Sequence, residues 1–392
     1  MKDREVLIVD TTLRDGEQMP GLVFTPQQKA YWAQQIALAG VKEIEAVTPA
    51  MGQIEKEAFD QISEAFKNEN ISANIYSWNR LREEDIEASL EWGVQHLFVS
   101  APVSDRYVES LMKITFEQLL QKFEDGVKQV VGRGANVVCG LMDIKRADFG
   151  KIVELAACLS RAGARRIRLS DTNGTLTPLE VYRLISRLKK SSSIPLEFHA
   201  HNDFGMAGAN SLAAAEAGAS YIDTTILGIG ERAGNARMEE VVMALEQLSG
   251  LQTGVDIQKM NMMGRKFAME QGISISSNRP VLGEKIFHHE SGIHVAALEK
   301  QSEIYEPWTP GLTGSERKII LGKHSGLGAV ALFCRRHHLR LDSLSEKAAL
   351  EKIKNRAHLL RRGLTESEAM QLLLAFRPQK KAGDIKNELQ HP

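Results

Sequence analysis

Apolar, often β-branched runs recur at Val6–Leu13, Val41–Val47, Ala73–Trp78, His96–Ala101, Asn136–Met142, Arg166–Ser170, Leu196–His199 and Tyr221–Leu227, with longer helical patterns between them. Short runs of this kind read as buried strands, and their alternation with helices in one series predicts a parallel sheet. Eight repeats predict closure into a (β/α)8 TIM barrel rather than an open doubly wound sheet. The punctuation agrees. Ala39-Gly40-Val41, Trp92-Gly93-Val94, Ala162-Gly163-Ala164 and Ala217-Gly218-Ala219 each end a helical stretch on a glycine suited to a left-handed cap. Thr25-Pro26-Gln27-Gln28 and Thr177-Pro178-Leu179-Glu180 each offer an N-cap threonine, a first-turn proline and a capping-box partner.

The barrel is expected over residues 1–270. Ser276-Ser277-Asn278-Arg279-Pro280 reads as a linker, within a segment 271–328 expected to form a lid over a partner's active site. Residues 329–392 come next as a smaller, mostly helical C-terminal region, with Lys380–Pro392 polar enough to read as a frayed tail.

A length of 392 residues accommodates a barrel of roughly 250 residues plus an appendage. A formal net charge of −1, with 43% hydrophobic and 25% charged residues, argues against a polyanion-binding surface, so no nucleic acid partner is expected. The N-terminus enters an apolar run without a signal-peptide core, and the chain contains no apolar stretch of about 18 residues. A soluble, cytoplasmic protein with no membrane partner is expected. Cys139, Cys158 and Cys334 are scattered, which predicts three reduced, buried thiols rather than a disulfide framework or a thiolate metal site.

In such a barrel the chemistry sits at the C-terminal ends of the strands. Arg14-Asp15 comes after the first strand, Glu45 lies at the end of the second, Thr172 comes after the sixth, and His199-Ala200-His201 carries the seventh outward. Histidines two residues apart on a strand project to the same side and can reach one ion. A carboxylate from Asp15 and an amide oxygen from Asn235 complete a mixed N/O set suited to a divalent metal: Zn²⁺, Mn²⁺, Co²⁺ or Mg²⁺. Arg14 places a fixed cation beside that set, positioned to polarise a carbonyl. The glycines of Gly228–Ala236 would admit close backbone approach to a ligand. Each feature alone has an ordinary reading: core histidines paired with carboxylates, a salt bridge for Arg14, an ion pair for Glu45 and a tight turn for the glycines.

Five motifs together, Asp10–Gln18 (DTTLRDGEQ), His199–Asp203 (HAHND), Gly230–Ala236 (GERAGNA), His289–His294 (HESGIH) and Leu321–Gly326 (LGKHSG), resemble the acetyl-CoA-dependent 2-oxo-acid synthases, the homocitrate and isopropylmalate synthase family, in that family's order. The resemblance implies Asp15, His199 and His201 as metal ligands with Asn235 in or beside the shell, and Arg14 as the group polarising the 2-oxo carbonyl. It implies that Thr172 holds the substrate's 1-carboxylate, with Glu231 and Arg80 among the substrate-binding residues and Arg80 facing the acceptor's distal end. Glu45 is expected to take part in catalysis or to orient it. His294 and Tyr305, supplied by a partner subunit, are implied in acetyl-CoA enolisation or thioester hydrolysis. A homodimer is therefore expected, and the small post-barrel module, too short to bury a core comfortably, points the same way.

Two positions depart from the family pattern: Val47 stands where glycine is usual, and Met142 where homocitrate synthases carry glutamate. The residues after Gly326 are too few for the further regulatory domain of isopropylmalate synthases, so condensation of acetyl-CoA with 2-oxoglutarate, as in homocitrate synthase, is the expected reaction. Phosphonomethylmalate, isopropylmalate and citramalate synthase are the alternatives. Acyl-CoA lyases of similar fold resemble a glycine loop with a catalytic cysteine, which Gly228–Ala236 lacks. Biotin-dependent carboxyltransferases share only the opening motif, and a barrel that has lost its chemistry is at odds with the intact set.

Overall fold

The computed structural model describes residues 4–298 and 300–377. The tail Lys380–Pro392 lies outside the described residues. The chain divides into two compact units, residues 1–275 with 280–282 and residues 276–279 with 283–392.

The first unit alternates strands and helices: β1 Leu7–Asp10, α1 Pro26–Leu38, β2 Glu43–Val47, α2 Gln53–Asn68, β3 Asn74–Arg80, α3 Glu83–Glu91, β4 His96–Pro102, α4 Phe116–Gly132, β5 Asn136–Met142, α5 Phe149–Ala162, β6 Arg166–Asp171, α6 Pro178–Ser191, β7 Leu196–Ala200, α7 Ala207–Glu216, β8 Tyr221–Thr224 and α8 Met238–Gln247. The strands form one closed parallel barrel in sequence order, sealed where Leu7 pairs with Tyr221 and Asp10 with Thr224. The predicted fold is therefore the observed one. Capping boxes stand at Thr25 and Thr177, and Gly40, Gly93, Gly163 and Gly218 all take positive φ. A ninth helix, α9 Ile257–Glu270, packs on α1 through Trp32 and Phe267, whose rings meet edge to face at 4.9 Å. All three cysteines are free and buried.

Three strands end two or three residues away from expectation. β1 stops at Asp10 and β8 at Thr224, because the next segments turn back over the mouth. Leu227 cannot be strand: its φ is +58, in the left-handed region. Conversely β3 runs on to Arg80, so that residue is the last of a strand rather than part of the loop after it.

The lumen is not lined by apolar layers alone. Inward positions alternate along each strand, giving Glu43 and Glu45 on β2, Arg166 and Arg168 on β6, Glu197 and His199 on β7 and Asp223 on β8, all buried. The opposite wall is apolar, with Tyr76, Trp78, Phe98 and Val138 in one cluster. Gly140 leaves room for Phe98, since a Cβ there would stand 2.4 Å from the ring.

In the second unit, β9 His288–His289 pairs in parallel with β10 Lys318–Ile319, and α10 Gly292–Leu298 lies between them in sequence. Helices α11 Leu327–Arg336, α12 Ser343–Leu360 and α13 Glu366–Leu374 complete it. Val295, Leu321, Val330, Phe333, Ile353 and Leu373 bury one cluster among them. The module thus has a core of its own, because three amphipathic helices close over the small sheet, and its size gives no reason to require a partner.

Candidate active site

β1 leads directly into a turn in which the Arg14 and Gly16 amides both donate to Thr11 O, at 3.2 and 3.0 Å. The turn brings Arg14 and Asp15 over the lumen, 8% and 4% exposed. Arg14 donates from Nε to Glu45 and from Nη1 to Asp15 at 2.5 Å, and its guanidinium lies 5.3 Å from the Trp78 ring. Glu45 is completely buried beneath it and also pairs with Arg168 at 2.9 Å.

His199 and His201 reach the same point from β7. Their Nε2 atoms face each other at 3.2 Å, and His199 Nε2 lies 4.0 Å from Asp15. The His199 Nδ1 lies 3.0 Å from the Asp223 carboxylate, so with Nδ1 protonated the Nε2 lone pair points into the cluster. Burial lowers the pKa of both imidazoles, His199 well below the usual histidine value, which keeps them neutral and able to ligate. Burial pushes Asp15 upward, but Arg14, the two histidines and the Asn235 amide outweigh it and hold the carboxyl below its ordinary range. Asn235 donates from Nδ2 to Asp15 at 2.8 Å and to Ile229 O at 3.0 Å. Its nitrogen, not its oxygen, thus faces Asp15, and its Oδ1 is buried without a partner.

Asp15, His199 and His201 bring three ligand atoms within 4.8 Å of one another. Either His201 Nε2–H donates to His199 Nε2, which leaves the buried His201 Nδ1 lone pair without a partner, or two bare Nε2 lone pairs face each other; the orphaned Asn235 oxygen adds another donor. One carboxylate and two imidazoles, with a carboxylate behind one of them, fit a divalent cation of borderline hardness.

Arg168 ties the two halves of the site together. Its guanidinium pairs with Glu45, Glu197 and Asp223, the last at 2.8 Å, so one side chain supports both the partner of Arg14 and the partner of His199. Glu197, clamped between Arg166 and Arg168, is held down to about 2 despite its burial, whereas burial raises Asp223 well above the carboxylate range. Of these, Glu45 is singled out by the sequence reading, whereas Arg166, Arg168, Glu197 and Asp223 are not. The signal was present: Arg166-Ile167-Arg168, Glu197-Phe198-His199 and Tyr221-Ile222-Asp223 carry polar residues at alternate positions of apolar strands.

The other predicted residues lie at varied distance from this centre. Thr172 accepts through Oγ1 from the Asp143 amide at 2.8 Å, and its hydroxyl donates to Ser170 O at a long 3.5 Å. Arg80 shares the inward register of Tyr76 and Trp78, and it is held by Asp85 through two 2.7 Å contacts. Glu231 is exposed on the rim, with Arg232 at 3.5 Å. Val47 is fully buried and Met142 partly so, at the ends of β2 and β5. His294 and Tyr305 belong to the second unit, where their rings meet at 4.2 Å, tilted by 36°. Both are exposed, beside Ile293 at 75% and Ile304 at 56% exposure.

Fold and site together define a class, a (β/α)8 barrel with a metal-type donor set at its mouth. A family model described as HMGL-like matches residues 5–266, and one described as homocitrate synthase post-HMGL domain-like matches residues 281–359. Homocitrate synthase 1 of Nostoc sp. is 37% identical over 94% of this chain and 97% of its own. A 2-isopropylmalate synthase of Caldanaerobacter subterraneus is 37% identical over 95% of this chain and 96% of its own. The chain belongs to the HMGL-like enzymes, in the family of homocitrate and isopropylmalate synthases. The hydroxymethylglutaryl-CoA lyase of Pseudomonas aeruginosa shares the fold at TM-score 0.57 and 21% identity, over 70% of this chain and 95% of its own. The carboxyl transferase domain of Rhizobium etli pyruvate carboxylase does so at 0.56 and 20%, over 68% and 47%.

Proposed function

We propose that the protein condenses acetyl-CoA with a 2-oxo acid and hydrolyses the resulting thioester, acting in the cytoplasm as a homodimer. The observation that carries this reading is the buried Asp15, His199 and His201 cluster in contact with the Arg14 guanidinium. A divalent metal held by those three residues, with Asn235 in or beside the shell, would supply Lewis-acid polarisation of the 2-oxo group. Arg14, fixed by Glu45 and Asp15, offers its remaining N–H groups to the oxygen on which negative charge develops. Thr172 donates its hydroxyl to the 1-carboxylate. The paired rings of His294 and Tyr305, delivered from a second copy, assist removal of the acetyl methyl proton or the hydrolysis. Their exposure beside Ile293 and Ile304 suits a face that docks on another chain.

The acceptor we favour is 2-oxoglutarate. Arg80 stands on the inward register at the strand end, and Asp85 holds its Nε edge while the outer edge stays available for a distal carboxylate. The Nostoc relative's name agrees. A second reading, an acceptor with an apolar side chain, is favoured by the same ion pair, which already neutralises Arg80, and by Val47 and Met142.

CoA release, measured with a thiol reagent, against 2-oxoglutarate, 2-oxoisovalerate, pyruvate and phosphonopyruvate tests both. The best acceptor should be 2-oxoglutarate, and Arg80→Ala should lower its kcat/KM roughly ten- to a hundredfold, from the loss of a charge-assisted contact. If 2-oxoisovalerate or pyruvate is best and Arg80→Ala changes nothing, the second reading holds. If no 2-oxo acid stimulates CoA release, both fail.

A further inference from the structure

The loop that carries Asn235 is shaped by a buried group that contacts neither Asp15 nor the histidines. After β8 the chain makes a left-handed turn at Leu227, with φ +58, and Gly228, with φ +72. A leucine in that region must be held there. Two side chains do so. The Ile226 amide donates to Thr12 Oγ1 at 2.8 Å, and the Leu227 amide donates to both carboxylate oxygens of Glu239 at 3.2 Å. Glu239 lies in the first turn of α8 and is 1% exposed. Its carboxylate occupies space that α9 leaves open: a Cβ on Gly264 would stand 2.6 Å from Oε1. Gly264 has no left-handed backbone that calls for glycine, so the close approach is what the missing side chain serves.

The turn sets the position of Ile229 and, through it, of Asn235. Ile229 O accepts from Thr225 Oγ1 at 2.8 Å and from Asn235 Nδ2 at 3.0 Å, and that same Nδ2 holds Asp15 at 2.8 Å. Gly230 admits the amide, since a Cβ there would lie 2.3 Å from Nδ2. A continuous series of hydrogen bonds and close contacts thus runs from Gly264 and Glu239 through the Leu227 turn and Ile229 O to Asn235 and Asp15. We infer that Glu239 is a positioning residue for the metal centre, seated by Gly264, and that it sets metal affinity without touching the metal. The inference rests on the proposed metal assignment.

Mn²⁺ binding to the metal-stripped full chain, measured by titration calorimetry, tests it. Glu239→Ala and Gly264→Ala should each weaken binding about 10- to 100-fold, the range seen when outer partners of metal ligands are lost. Glu239→Gln, which keeps a carbonyl oxygen for the Leu227 amide, should bind more tightly than Glu239→Ala. Gly132→Ala, where a new Cβ meets nothing within 4 Å, should leave affinity unchanged. Combining Glu239→Ala with Gly264→Ala should be no worse than Glu239→Ala alone, because no carboxylate remains to be displaced. A native chain that binds Mn²⁺ while both alanine variants bind it equally well overturns the positioning role, whatever happens to Tm. A native chain that binds no Mn²⁺ overturns the metal assignment and this inference with it.

Discussion

Asp10 shows how far a single residue departs from what sequence alone conveys. It opens the first motif, yet its carboxyl accepts from the Thr12 amide and hydroxyl at 3.0 and 2.7 Å and is not among the clustered ligand atoms. Burial pushes it up to about 7, against the pull of the Thr12 bonds. The folded state therefore holds a proton that the unfolded chain gives up near pH 4, so this group penalises folding above pH 7, and the penalty fades as pH falls towards 4. Asp10→Asn should gain on the native chain by on the order of 4 kcal/mol between pH 4 and pH 8 in urea unfolding, with most of the change below pH 7. A difference that is flat with pH would show that Asp10 titrates normally. That His199 and His201 meet was legible from type and spacing, since residues two apart on a strand project to the same side. For Arg168 and Asp223 the alternation marks lumen-facing positions, but which residues they pair with depends on strands distant in sequence and is not legible there.

Among the elements, all eight strands and the two helices capped at Thr25 and Thr177 were legible, because short apolar, β-branched runs and capping boxes are local signals. The strand ends were less so. β8 is cut short at Thr224 by long-range bonds from Thr12 and Glu239 to the amides of Ile226 and Leu227, which no local pattern reports. Complementary packing between β4 and β5 is of the same kind: Phe98 fills the lumen only because Gly140 is bare. Gly140→Ala should cost about 1–3 kcal/mol as overpacking, and adding Phe98→Leu in the same chain should recover most of it. Additive losses in denaturant unfolding would show that the two residues do not compete for space.

For the whole molecule, the barrel carries every donor atom of the cluster, while the paired rings of His294 and Tyr305 lie in the other compact unit. Delivery from a second copy makes a direct expectation. Arg14→Ala and His294→Ala chains, each inactive alone, should regain activity when mixed under exchange, up to about a quarter of the native level if pairing is random. No recovery from chains that demonstrably exchange would place both residues in the same chain's site. Beneath this lies the claim that the cluster is a metal centre on which turnover depends. The most direct measurement is CoA release by protein stripped with a chelator, assayed with acetyl-CoA and its best 2-oxo acid before and after Mn²⁺ is returned. Activity should vanish on stripping and return with the metal in the native chain but not in Asp15→Ala. Full turnover in the stripped protein, or in Asp15→Ala, would contradict it.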